Sequence, residues 1–191
     1  MEKHDRTETG GLTYWEREWP KSAEAYTKAF DKRFKHVISK HFIGHVLDLG
    51  CGLGLACKYA DKYTGVDFSS EGIKIAKEQN PKGTFMVADC NAPLDLKERY
   101  DTVMMSEVVE HLEKFHRILL NAQQYADKRI IITLPQNMDN PDHWWPRWTL
   151  QDIYKEFDWL GETTLVAKVQ GNFWMIIIDK NKDSDFYKVN F

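Results

Sequence analysis

The chain has 191 residues, 42% of them hydrophobic and 13% aromatic, with a formal net charge of −3. That length fits one domain with its own core, and the slightly acidic balance weighs against a general nucleic-acid binder, which normally carries a basic excess. Cys51, Cys57 and Cys90 show neither pairing nor zinc spacing, and with no signal peptide or membrane-length apolar run the expected setting is a reducing cytoplasm.

Residues 1–11 are polar, end in Gly10-Gly11 and read as a disordered leader, leaving 12–191 as the single domain. Over 12–41 the apolar residues Tyr26, Phe30, Phe34 and Val37-Ile38 recur at steps of three and four, which predicts a helix. Apolar runs then predict strands at 45–50, 63–67, 84–88, 102–106, 129–134, 163–169 and 173–179. Helical patterns fall at 53–60, 70–79, 112–126 and 149–157. Gln170-Gly171-Asn172 between the last two runs is a hairpin signal. Alternating strands and helices imply a mostly parallel sheet with helices on both faces, an α/β doubly wound fold. Seven tryptophans in so short a chain point to an apolar or stacking surface.

The run Val46-Leu47-Asp48-Leu49-Gly50-Cys51-Gly52-Leu53-Gly54 reads as a buried strand leaving through a glycine turn into a helix. Such a turn lets a ligand approach the backbone closely at the carboxyl end of a strand. Its spacing is not the dinucleotide fingerprint, whose third glycine comes three residues after the second. That position is Leu55, and the third glycine comes early, at Gly54.

An acidic residue at 48 followed by glycines at 50, 52 and 54 resembles the first motif of the class I S-adenosylmethionine (SAM) methyltransferases. The resemblance extends from His45 to the last strand. It implies a seven-stranded sheet whose seventh strand lies antiparallel between the fifth and sixth. It also implies SAM as cofactor, held by Asp48, Gly50, Cys51, Gly52 and Gly54 around the turn. Asp67 and Phe68 end the second strand, and Asp67 is expected to accept both ribose hydroxyls through charge-assisted hydrogen bonds. Asp67 read without the resemblance is a helix N-cap, a task that Ser69 or Ser70 suits as well. By the same resemblance Asp89 accepts from the adenine amino group, the Cys90 backbone reaches a ring nitrogen, and Ser106 lies beside the sulfonium.

Glu107-Val108-Val109-Glu110-His111 has two carboxylates and an imidazole at i, i+3 and i+4, on one face if the segment is helical. With His143 they resemble the metal-binding pattern of small-RNA 3′-end 2′-O-methyltransferases. The segment after His143 departs from that family, and the Glu-Val-Val-Glu-His-Leu run also resembles many small-molecule methyltransferases that need no metal. The expectation is therefore no metal, with His111 as a catalytic base whose ordinary pKa suits proton removal near neutrality. Glu107, His143, Trp144, Trp145 and Arg147 are the expected acceptor-binding residues, able to stack on a flat molecule and pair with an anion. Tyr14, Trp15 and Trp19 are expected to close the pocket.

The expected function is direct methyl transfer from SAM to an O, N or C nucleophile of a small molecule, with no membrane partner. Two alternatives stay open: a metal-dependent RNA 3′-end 2′-O-methyltransferase, and a catalytically inactive SAM-binding partner subunit.

Overall fold

A computed structural model of the chain describes residues 11–169 and 172–180. Residues 1–10 of the expected 1–11 leader, the hairpin residues 170 and 171 and the end of the domain from 181 lie outside the described residues. Among the described residues, no helix is long and apolar enough to cross a membrane.

Seven strands form one sheet. They are β1 (His45–Leu49), β2 (Lys62–Asp67), β3 (Thr84–Val87), β4 (Tyr100–Ser106), β5 (Ala126–Pro135), β6 (Glu162–Val169) and β7 (Phe173–Asp179). Their order is β3-β2-β1-β4-β5-β7-β6. The first five pair parallel, while β7 runs antiparallel to both β5 and β6. This is the seven-stranded class I methyltransferase topology expected from the sequence. Every residue of β1 is buried, because helices cover both faces of the sheet.

The strand alternation sorts the core into two layers. Met104, Ile131, Met175 and Ile177 face one side, where Trp19 and Phe34 of α1 (Leu12–His36) and Ile73 and Ala76 of α2 (Ser70–Gln79) pack on them. Val103, Met105, Ile130, Ile132, Ile176 and Ile178 face the other. There they meet Ile118 and Leu119 of α3 (His116–Tyr125) and Ile153 and Phe157 of α4 (Leu150–Phe157). Each such side chain, fully buried, contributes about 1.5–3 kcal/mol of transfer free energy. The starts of α2 and α4 are capped by side chains that the sequence supplies. The Ser69 hydroxyl accepts from Gly72 N–H, and Thr149 with Asp152 forms a reciprocal capping box.

Three expected helices change. The segment 12–41 ends its α-helix at His36 and continues as a 3₁₀ turn over Ile38–His41. The segment 53–60 is a 3₁₀ turn, Leu55–Tyr59, because the chain reaches it through glycines with φ of +80°, +48° and +66° at 50, 52 and 54. A chain that has just left the left-handed region has no helical turn to extend. The segment 112–126 becomes helical only at His116. Glu107 sits at φ +58°, and Val109–His111 form a short 3₁₀ turn. Glu107 therefore does not share a helix face with Glu110 and His111.

Gly54 illustrates what the turn demands. A Cβ there would lie 2.5 Å from the Phe85 ring, at a φ of +66° that L side chains avoid. Gly54→Ala is expected to destabilise the fold by about 1–3 kcal/mol. Urea unfolding at unchanged m-value checks this, and an unaltered midpoint would show that neither constraint matters.

Candidate functional site

The glycine turn is held by its neighbour strand. Gly50 N–H and Cys51 N–H both donate to the Val66 carbonyl, at 2.8 and 3.0 Å. The carboxylate of Asp67, at the end of β2, accepts Gly52 N–H at 2.8 Å through Oδ2 and Ser69 N–H at 2.9 Å through Oδ1. Asp67 is 4% exposed, and burial raises its pKa against the lowering effect of these bonds. Beyond β3, Asp89 is exposed and accepts Asn91 N–H at 2.8 Å. Ser106, at the end of β4, is hydrogen-bonded to the Thr133 hydroxyl of β5 at 2.9 Å.

These strand ends open into a cavity of about 720 Å³. Gly50, Asp67, Phe68, Asp89 and Asn91 line one end, and Ser106, Glu107, Glu110, His111, His143 and Trp144 the other. Trp15, Trp19, Tyr26 and Phe30 of α1 roof it. Three polar contacts fasten that roof. Glu16 caps α2 by accepting Ser70 N–H at 2.6 Å and Glu71 N–H at 3.1 Å. The Tyr14 hydroxyl is hydrogen-bonded to Asp142 and, with burial as the larger cause, its pKa rises to about 12. Arg33 pairs with Glu107 at 3.4 Å, its guanidinium stacked 3.7 Å from the Phe173 ring centre.

Two carboxylates are buried here and differ in their surroundings. Glu107 accepts from the Thr133 hydroxyl at 2.7 Å and faces Arg33; burial nonetheless pushes its pKa up. Glu110 is wholly buried, and neither carboxylate oxygen has a hydrogen-bond partner. Burial, and then the charge of Glu107, push its pKa well above the carboxylate range. Its backbone carbonyl accepts Trp144 N–H at 2.7 Å and Trp145 N–H at 3.2 Å, which ties the 136–148 loop to the 109–111 turn. His111 and His143 thereby come together, ring centres 4.8 Å apart.

Of the expected site residues, the cavity brings together Gly50, Asp67, Phe68, Asp89, Ser106, Glu107, His111, His143 and Trp144. Others lie elsewhere. Asp48 is buried inside β1, where the Tyr63 hydroxyl donates to it at 2.6 Å. Gly52 faces the Trp19 ring and Gly54 faces Phe85, so both serve close packing of the turn. Cys51 packs beside Gly65, and the buried Cys90 thiol donates to the Val66 carbonyl at 3.4 Å. Trp145, half-buried, packs edge-on against Phe115 and donates its indole N–H to the Leu112 carbonyl at 2.9 Å, so it lies against the core. Arg147 is exposed and donates to Asn137 Oδ1 at 3.1 Å, outside the cavity lining. The sequence treats the loop as one acceptor-facing surface; in the structure the chain reverses, bridging Arg147 antiparallel to Asn137, so that Trp145 packs inward on Phe115 while Arg147 faces solvent.

Arg33, Tyr26, Phe30, Thr133 and Phe173 were not anticipated at the site. A signal for Arg33 existed: seven residues after Tyr26 and three after Phe30, it shares their helix face.

Comparison with known proteins places this geometry. A family profile described as a methyltransferase domain matches residues 15–170. The ubiquinone biosynthesis O-methyltransferase of a Bradyrhizobium strain is 38% identical over 74 residues, 35% of this chain and 29% of its own length. The trans-aconitate 2-methyltransferase of Afipia carboxidovorans is 28% identical over 138 residues, 64% of this chain and 53% of its own length. The chain thus spans about half the length, or less, of these curated relatives. Among solved structures, a TehB-like SAM-dependent methyltransferase from Corynebacterium glutamicum superposes with a TM-score of 0.63 at 18% identity, over 85% of this chain and 100% of that one. Magnesium protoporphyrin IX methyltransferase from Synechocystis, solved with bound S-adenosylhomocysteine (SAH), does so with 0.63 at 17%, over 83% and 84%. These two likenesses are of fold.

Asp48 gives the site's supporting strand a pH dependence. Burial pushes its pKa up to about 7, with the Tyr63 hydrogen bond opposing and the charge of Asp67 adding. A carboxyl whose pKa is raised on folding contributes stability that is full below its unfolded pKa and is lost as pH rises through the folded value. Between about pH 4 and 7 the wild type should therefore lose stability relative to Asp48→Asn, by up to about 1.4 kcal/mol per pH unit. Urea unfolding of both proteins across that range measures the difference, and parallel curves would refute it.

Proposed function

The chain belongs to the methyltransferase-domain family, with the class I, SAM-dependent fold, and from that premise we propose that it methylates a small-molecule acceptor. The observation that carries this reading is the cavity at the carboxyl ends of β1, β2 and β4, lined on one side by α1. Its volume of about 720 Å³ is in the range of small-molecule sites. A relative named for trans-aconitate supports an acceptor of that size.

The residues present fit a nucleoside cofactor. Besides the Glu110 carboxylate oxygens, the Trp19 indole N–H and Asn91 Oδ1 on the cavity lining are buried without a partner. They offer one donor and one acceptor close to the end where Asp67 and Asp89 lie. We assign Asp67 to the ribose hydroxyls, through carboxylate lone pairs beyond those that hold Gly52 and Ser69. Asp89 and Asn91 face the base, while Gly50 and Ser106 flank the methionine part. When bound, SAM supplies an electrophilic methyl group that the acceptor's O, N or C takes by direct displacement. The protein's part is to align the acceptor and exclude water. Trp15, Trp19 and Tyr26 exclude water from above. Trp144 and Phe173 give the acceptor apolar surface, and Glu107, held by Thr133 and Arg33, offers it a polar contact. His111 donates Nδ1–H to the Asp142 carbonyl at 2.8 Å, so its Nε2 carries the lone pair. That nitrogen can receive a proton from the acceptor, or a cation.

Calorimetric titration with SAH tests the cofactor assignment. Asp67→Ala is expected to weaken binding by about 2–4 kcal/mol, since two charge-assisted hydrogen bonds go. Full affinity in a folded Asp67→Ala protein would remove the ribose role, and saturable NAD binding in competition with SAH would overturn the choice of cofactor. For the acceptor, incubation with methyl-labelled SAM and fractionated cell extract should place the label in the small-molecule fraction. Label confined to protein or RNA would refute a small acceptor.

A further inference from the structure

Glu110, His111 and His143 each offer one ligand atom, and these atoms lie within 4.8 Å of one another. We propose that they form a binding site for one divalent transition-metal ion, reversing the expectation drawn from the sequence. The inference goes beyond methyl transfer and does not depend on it.

The donor orientation supports it first. His111 donates Nδ1–H to the Asp142 carbonyl at 2.8 Å, and His143 Nδ1 lies 3.3 Å from the Met138 carbonyl, which can only accept. A neutral imidazole with its proton on Nδ1 carries its lone pair on Nε2. Backbone carbonyls that fix the tautomer and ring orientation in this way are the usual outer shell of metal-bound histidines. Asn140 Nδ2 approaches His143 Nε2 only at 3.5 Å, the limit of a hydrogen bond.

The second observation is Glu110. It is fully buried, lines the same cavity, and has no partner on either oxygen. A carboxyl buried without a partner can ionise only at a cost of several kcal/mol, and a bound cation offsets that cost. Arg33, the buried cation nearby, is engaged by Glu107 rather than Glu110.

The third is the scaffold. Glu110 and His111 come from one tight turn and His143 from the 136–148 loop, and the Trp144 and Trp145 N–H groups clamp that loop on the Glu110 carbonyl. N and O ligands about 2.0–2.2 Å from one ion stand about 3–4 Å apart, so a closure of about 1 Å completes the set. Two imidazoles and one carboxylate suit Zn²⁺, Co²⁺, Mn²⁺ or Fe²⁺ better than the all-oxygen preference of Ca²⁺ or Mg²⁺. The remaining coordination positions would face the cavity.

The test uses the full chain, freed of metal by a chelator that is then removed, with no cofactor present. Co²⁺ is added while visible absorption is followed, and Zn²⁺ is titrated calorimetrically. One equivalent should bind, and Co²⁺ should develop ligand-field bands of nitrogen and oxygen ligation. Glu110→Gln and His143→Asn should each weaken binding about tenfold or more, whereas His116→Ala, an exposed histidine outside the cluster, should stay within about threefold. Glu110→Gln keeps the side-chain shape and adds no charge, and circular dichroism confirms that each variant is folded. Absence of saturable binding in the wild type, or equal binding by Glu110→Gln and His143→Asn, overturns the proposal. SAH affinity is measured separately, so failure of the metal site and failure of the cofactor reading are distinct results.

Discussion

The carboxylate of Asp67 holds the architecture of the site together. One oxygen fixes the Gly52 N–H in the glycine turn and the other fixes the Ser69 N–H at the start of α2. A carboxylate that is 4% exposed carries a desolvation cost, which these hydrogen bonds offset. By joining the turn after β1 to the helix after β2, it sets the lip of the cavity. The turn it stabilises runs through three left-handed glycines, and the chain leaves it as a 3₁₀ turn rather than a full helix.

The second constraint is the roof. α1 carries an aromatic stripe, Trp15, Trp19, Tyr26 and Phe30, that would be costly to leave in water. It is laid over the open strand ends, so the same burial that stabilises the helix lines one side of the cavity. Trp19 shows how tight the fit is: its ring occupies the space that a Cβ on Gly52 or Gly72 would need. Polar contacts at Tyr14, Glu16 and Arg33 fix where the helix lies. The position of the roof is thus set by directional bonds and its affinity by apolar area.

Glu107 and Glu110 show how one short turn creates two different chemical environments. At φ +58°, Glu107 swings its side chain towards Thr133 and Arg33 and gains two partners. Glu110, three residues on, is carried into the interior beside the two histidines and gains none. A regular helix would have stacked the two carboxylates on one face, where they would repel and share a single counter-ion. The irregular backbone gives them different surroundings: the Glu107 carboxylate faces a cation from α1, while the loop that carries His143 is tied to the Glu110 backbone carbonyl and leaves its carboxylate unbonded.

Much of the fold was legible in the amino acids. Apolar runs separated by glycine, serine and asparagine marked the strands, most clearly the central ones, because a strand buried on both faces must be apolar along its length; the edge strands β3 and β6 are only partly buried. The early third glycine at Gly54 distinguished this turn from a dinucleotide-binding one, and the match with the methyltransferase family then gave the strand order. Asp67 and Asp89 were readable because residues at strand ends keep their position relative to the sheet. What tertiary structure alone decided was direction. Local sequence does not say that Glu107 takes a left-handed conformation, that Trp145 turns against the core while Trp144 faces the cavity, or that Arg33 reaches from the first helix to a carboxylate 74 residues later. Each of these depends on which surface lies opposite, and that is set by packing between segments distant in the chain. The sequence carries the chemistry of Glu110, His111 and His143; only the folded loop, clamped to the Glu110 carbonyl, brings their ligand atoms together.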